Sequence, residues 1–189
     1  MDSALIVSST EKSIAFFTQM LSAASCGQIA TLPSCGEARR LLLEQDFDLV
    51  IINAPLPDEP GEALARQIAG GGVGQVILVV RSEVFEEVSS VCEGDGVLTV
   101  AKPVNRAVFW SALKLAGAAQ SRLLRLRAEN SRLTQKIEDI RVVDRAKCIL
   151  ISYLGMSEQE AHRYMEKQAM DLRTTRRAVA EGILKTYED

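Results

Sequence analysis

Leu123, Leu126, Asn130, Leu133, Ile137 and Ile140 recur at alternating intervals of three and four residues. With Leu123, Asn130 and Ile137 at heptad position a and Leu126, Leu133 and Ile140 at d, the series describes a seam between two helices. A lone Asn in such a seam costs stability, but it can pair with its symmetry mate and so selects a parallel, in-register pair of helices. The seam predicts a homodimer, and whatever lies on either side of it is presented twice. One helix of a bundle within a monomer is the alternative reading.

Charge divides the chain near the same region. Residues 1–104 carry a net −8 and residues 105–189 a net +5. An acidic half joined to a basic half points the C-terminal part toward a polyanion, although a mixed-charge helical surface gives the same count. There is no apolar run of the roughly 18 residues a membrane span needs, and Asp2 stands where a secretory signal carries basic residues, so the chain reads as cytoplasmic with no membrane partner. Cys26, Cys35, Cys92 and Cys148 have no CxxC spacing and His162 is the single histidine, so neither a zinc site nor a disulfide framework is expected. The four cysteines read as buried small hydrophobes.

The N-terminal half alternates short β-branched runs with helix-length segments. Leu5–Val7, Leu49–Ile52, Val76–Val80 and Val97–Val100 are strand candidates, and Gln28–Leu32 is a weaker one. Helices are expected near 11–24, 36–45, 60–69, 83–92 and from about 105. This is a doubly wound, five-stranded parallel sheet. The run Gly70-Gly71-Gly72-Val73-Gly74 leads into a strand rather than a helix, so it reads as a flexible connection and not as a phosphate loop.

Asp48-Leu49-Val50-Ile51-Ile52-Asn53, with Pro57, Gly61 and Lys102-Pro103, resembles the receiver domain of two-component response regulators over about residues 1–115. The resemblance implies acids after the first strand, a phosphoacceptor Asp after the third, a hydroxyl after the fourth and a Lys after the fifth, followed by a cis Lys-Pro bond. Here Ser8 and Ser9 replace the acids, Asn53 replaces the acceptor, Val80 replaces the hydroxyl with Ser82 nearby, and Lys102 remains. Mg²⁺ binds through carboxylates, and an amide is not a nucleophile for phosphoryl transfer. The site is therefore expected to be a degenerate phosphorylation site that takes neither metal nor cofactor. Its signal would come by another route, and a regulatory protein partner at this pseudo-receiver is one source.

From Asn105 to about Leu154 the chain has no Pro and only Gly117, which predicts one near-continuous helix stopped by Gly155. Ser157-Glu158-Gln159-Glu160 forms a capping box for a helix to about Leu172, and Thr174 is a candidate cap for a last helix to about Lys185. Ala161, Met165, Ala169 and Leu172, with Tyr164 beside them, and Val179, Ala180, Ile183 and Leu184 would fold these helices against Ile149, Leu150 and Tyr153 as a three-helix bundle. His162, Glu166, Lys167, Met170 and Arg173 fall on the other face of the middle helix. An apolar side chain among cations suits a surface that meets phosphates and bases.

Arg145-Ala146-Lys147-Cys148-Ile149-Leu150, Gly155-Met156-Ser157-Glu158-Gln159-Glu160-Ala161, Gln168-Ala169-Met170 and Val179-Ala180-Glu181-Gly182-Ile183-Leu184 resemble the ANTAR family of RNA-binding antitermination regulators over about 137–185. Cys148 and Asp171 are its less typical residues. The resemblance implies domains at 1–115, 116–144 and 145–189, as receiver-like domain, coiled-coil helix and ANTAR bundle. It also implies binding to nascent leader mRNA with two adjacent hairpins carrying hexanucleotide loops, which blocks an overlapping terminator. Carried over, the RNA contacts are Lys147, Lys167, Gln168, Ala169, Met170 and Arg173, with Arg145, Arg176 and Arg177 supplying bulk charge. A DNA-binding response regulator, with the last two helices only about two residues apart as in a helix-turn-helix, and a protein-interaction adaptor are the rival readings. No nucleophile, base and metal constellation appears, so no enzyme is expected.

Overall fold

The computed structural model describes residues 2–72 and 74–187, which form two compact units, Met1–Leu124 and Arg125–Asp189. In the first unit β1 (Ser3–Val7), β2 (Gln28–Leu32), β3 (Leu49–Asn53), β4 (Gln75–Arg81) and β5 (Leu98–Lys102) alternate with α1 (Glu11–Ala23), α2 (Cys35–Leu42), α3 (Glu62–Gly71) and α4 (Phe85–Cys92). The helix α5 (Arg106–Leu154) follows and runs into the second unit, where α6 (Glu158–Asp171) and α7 (Arg176–Tyr187) complete the chain.

The sheet is wholly parallel in the order β2-β1-β3-β4-β5. β3 lies between β1 and β4 and every one of its residues is buried, which is why Leu49–Ile52 reads as an apolar run before Asn53. Because side chains alternate along a strand, Leu5, Val7, Val50, Ile52 and Leu78 pack toward α2, α3 and α4, while Ile6, Ile51, Ile77 and Val79 pack against Phe17 and Leu21 of α1 and Phe109 and Leu113 of α5. Gly61 caps α3 at φ 97°, where a Cβ would sit 2.9 Å from Ile52 Cγ2. No side chain fits there.

The glycine run is more ordered than a flexible connection. α3 continues through Gly71, past the expected end at 69, and Gly72 closes it at φ 66° by donating its N–H to Ala69 O at 3.0 Å. A Cβ on Gly74 would fall 2.1 Å from Phe47 O, so that glycine is a close approach rather than a hinge, and Val73 lies outside the described residues. The cysteines also divide: Cys35 and Cys92 are buried, Cys26 is half-buried and Cys148 is exposed. Cys148 departs from the expectation because it lies on the side of α5 opposite Ala146 and Leu150, the residues that face the bundle core.

In the second unit Ala146 and Leu150 of α5, Ala161 and Met165 of α6, and Ala180 and Leu184 of α7 close a small core. Ser157 and Glu160 make both halves of the capping box that starts α6. Four expectations are corrected here. The cap of α7 is Thr175 and not Thr174: Ala178 donates its N–H to Thr175 Oγ1 at 3.2 Å. Thr174 is instead used to end α6, donating its N–H to Ala169 O at 2.9 Å while Arg173, at φ 51°, donates to Met170 O at 3.2 Å. That pair of bonds is a Schellman ending with Arg in the left-handed position usually held by Gly. The reversal turns Leu172 outward, 66% exposed, and it leaves residues 172–175 between α6 and α7 instead of two. Tyr153 is likewise outside the core, and its ring packs on that of Tyr187 with centroids 5.6 Å apart.

Candidate functional site

At the C-terminal edge of the sheet, β1, β3 and β5 bring Ser8, Asn53 and Lys102 toward the switch point where ligands of doubly wound folds bind. Asn53 Nδ2 donates to Ser8 Oγ at 3.0 Å with both side chains buried. Thr10 continues this neutral chain through a 2.8 Å hydrogen bond to Ser13 Oγ. Lys102 Nζ donates to Ala54 O at 2.5 Å, and burial followed by the charge of Arg81 holds its amine below the usual lysine range. Val80 is buried and carries no hydroxyl; the Ser82 hydroxyl donates to Lys102 O, and Ser9 is exposed. Lys102-Pro103 is cis, as is Ala54-Pro55. Among the described residues no group of three or more His, Cys, Asp or Glu side chains could hold a metal. The Ser8, Asn53 and Lys102 pocket thus presents amide, hydroxyl and a single amine already bound to a carbonyl, with no carboxylate among these three side chains.

The cations of the second unit fall into two sets. Lys147 Nζ lies 2.9 Å from Asp144 and 3.1 Å from Glu158, which raise its pKa, and its side chain is mostly covered. Arg177 bridges Asp139 at 2.6 Å and Glu181 at 2.7 Å; the hydrogen bond from Arg177 holds the Asp139 carboxyl below its usual range. Arg176 lies 3.5 Å from Glu166, which also meets His162 at 3.3 Å. Of these groups Asp139, Asp144, Lys147, His162, Arg176 and Arg177 line a groove of about 510 Å³ between α5 and the two short helices. Their charges fasten the helices of the head to one another.

Arg163, Lys167 and Arg173 form the other set. All three are exposed and none has a carboxylate partner among the described residues. At 100° per residue, Arg163, Lys167 and Met170 project from one side of α6. Met170 is 78% exposed in the middle of it. The sequence reading missed Arg163, although it stands four residues before Lys167 and seven before Met170, the spacing of one helical face. Gln168 is half-buried at the flank, and Ala169 faces the bundle interior with 8% exposure, so it sets packing rather than presenting a surface. Lys147, unlike this set, is paired with two carboxylates.

Along the coil, Leu126, Leu133, Ile137 and Ile140 are each exposed by half or more in the single chain, Leu123 is half-buried, and the Asn130 side chain meets Thr134 Oγ1, at 3.4 Å, and no other group among the described residues. An exposed apolar stripe of that length is longer than the scattered surface apolar residues of an ordinary helix.

Residues 131–184 match the family model described as the ANTAR domain. The chain is 28% identical over 139 residues to the Transcriptional regulatory protein PdtaR of Mycobacterium tuberculosis, in strains CDC 1551 / Oshkosh and H37Rv, an alignment that covers 74% of this chain and 68% of the relative. The signal receiver domain of an HD domain-containing protein from Pseudomonas fluorescens Pf-5 superposes with a TM-score of 0.56 at 24% identity, covering 69% of this chain and 93% of that one. A CheY-like response regulator receiver domain from Methanospirillum hungatei JF-1 gives 0.56 at 21%, covering 65% and 98%. A receiver fold followed by an ANTAR domain defines a response regulator. This chain thus carries an ANTAR-domain match behind a receiver-like fold, the arrangement of an ANTAR response regulator, with Ser8 and Ser9 just after β1 and Asn53 at the end of β3. No helix among the described residues is long and apolar enough to cross a membrane.

Proposed function

We propose that this protein binds paired hexaloop hairpins in nascent leader mRNA and so prevents a terminator from forming. One observation carries the reading. On the outer face of α6 the cations Arg163 and Lys167, with Arg173 at its end, lack carboxylate partners among the described residues and surround an exposed Met170, whereas Lys147, Arg176 and Arg177 are held by acids. Unpaired cations neutralise phosphates, and an apolar side chain between them packs on a base splayed out of a loop. The exposed heptad stripe supports a parallel homodimer that presents two such heads, so both hairpins can be held at once and the second contact gains from effective concentration. The neutral Ser8, Asn53 and Lys102 pocket supports RNA binding that does not wait for phosphorylation.

The test is a titration with a two-hairpin RNA, a single hairpin and duplex DNA of equal length at two salt concentrations. Tightest binding to the two-hairpin RNA is expected. Lys167→Ala is expected to weaken all RNAs alike and flatten the salt dependence, and Met170→Ala to lose discrimination between loop sequences, each at about 1–3 kcal/mol. Equal affinity for duplex DNA would make the protein a DNA-binding regulator, and absence of nucleic-acid binding would leave a protein-interaction adaptor.

A further inference from the structure

α5 ends at Gly155, whose φ of 65° reverses the chain, and Ser157 opens α6 two residues later. The reversal sets Leu154 and Met156 beside Arg163, Tyr164 and Lys167 and encloses a shallow groove of about 430 Å³. Met156 packs against the head core and gives the groove a fixed floor. Leu154 is 49% exposed and Tyr164 38%, so an apolar wall and an aromatic ring both reach solvent. The acid on the rim, Glu160, is turned back on Ser157, accepting from its N–H and its hydroxyl at 2.8 Å each, and these bonds keep its carboxyl below the usual range. It stays ionised, but the oxygen that accepts these bonds is held at the helix start and the carboxylate pairs with neither cation. Arg163 and Lys167 thus border an aromatic and apolar groove with no acid among the described residues to pair with.

Resting on the RNA reading above, we infer that this groove seats one unstacked nucleobase of the hairpin loop, stacked on Tyr164 against Leu154 and Met156, with Arg163 and Lys167 on its phosphates. A π face accepts any base, while cations placed beside it favour a nucleotide over an apolar protein side chain. Lys167 follows Tyr164 by three residues and precedes Met170 by three, so the groove and Met170 lie on opposite sides of one cation, about 9 Å apart along the helix axis. Two neighbouring loop bases would then straddle Lys167, one in the groove and one on Met170.

The experiment uses the full chain and a pool of two-hairpin RNAs with randomised hexanucleotide loops containing 4-thiouridine, irradiated and digested for mass spectrometry. A crosslink from one loop position to the peptide containing Tyr164 is expected. For the tightest RNA selected from the pool, Tyr164→Phe should bind as wild type. Tyr164→Leu, which keeps apolar bulk but removes the ring, should lose about tenfold in affinity and most of its loop preference. Crosslinks confined to other peptides, or wild-type binding by Tyr164→Leu, overturn the base seat while RNA binding stands. If the wild-type chain captures no RNA from the pool, the RNA reading itself fails, and the seat with it.

Discussion

Asn53 donates to the hydroxyl of Ser8 at 3.0 Å, and this buried amide–hydroxyl pair fills the corner of the sheet where a receiver keeps its acids. Each group satisfies the other, so the pocket is stable without a cation. Incubation with a small phosphodonor and Mg²⁺ is expected to leave the intact mass unchanged. Asn53→Asp should not restore modification, because Ser8 and Ser9 still supply no carboxylate for the metal. It should also destabilise the chain by about 1–3 kcal/mol in urea unfolding, since a buried carboxylate replaces an amide donor. A single phosphoryl adduct on the wild-type protein would overturn this account.

In the head, Asp139 is held below its ordinary 3.8 by Arg177, and Glu160 below its ordinary 4.5 by Ser157. Carboxyls depressed in the folded state contribute stability that is complete above their ordinary values and is lost as pH falls through the folded ones. Thermal melts taken from about pH 5 to about pH 3 should therefore show a falling midpoint, and the double variant Asp139→Asn, Glu160→Gln should flatten that slope. Parallel slopes for the two proteins would show that these contacts do not hold the head.

How much of this was legible in the chain depends on whether the deciding interaction is local. β3 and β4 are visible because strands buried on both faces carry continuous apolar stretches, Leu49–Ile52 and Val76–Val80, and Ser157 with Glu160 is visible because a capping box lies within four residues. The pairing of Lys147 with Glu158 and of Arg177 with Asp139 joins different helices, so composition could not separate braced cations from unpaired ones. Lys147 stood among the expected RNA contacts through the ANTAR resemblance, which says nothing of its pairing with Asp144 and Glu158. Thr174 and Thr175 are equivalent caps by type, and only the left-handed Arg173 decides between them.

Asn130 makes one contact, from Thr134 Oγ1, and its amide nitrogen meets no group among the described residues. In a parallel dimer the two amides would meet across the seam. Light scattering at micromolar concentration should report dimer mass for the wild type, and Leu133→Asp should give monomer. Asn130→Leu should raise the melting temperature while admitting larger assemblies, because an apolar a position no longer selects two strands. Monomer mass for the wild type would remove the coil from the functional picture.

Arg173 joins stability to recognition. Its left-handed backbone ends α6, a conformation that costs an L-residue roughly 1–2 kcal/mol and glycine almost nothing. Glycine gives back part of that gain by loosening the unfolded chain, so Arg173→Gly should stabilise the head by up to about 1 kcal/mol. The same change removes an exposed cation next to Met170, and if that cation meets a phosphate the salt slope of RNA binding should fall by about one. Arg173→Lys keeps the charge and should retain the slope without the gain in stability. A protein that becomes more stable and binds less tightly is the signature of a residue kept for its ligand at the expense of its backbone. If Arg173→Gly binds hairpin RNA with wild-type affinity at both salt concentrations, the phosphate contact at the end of α6 is excluded.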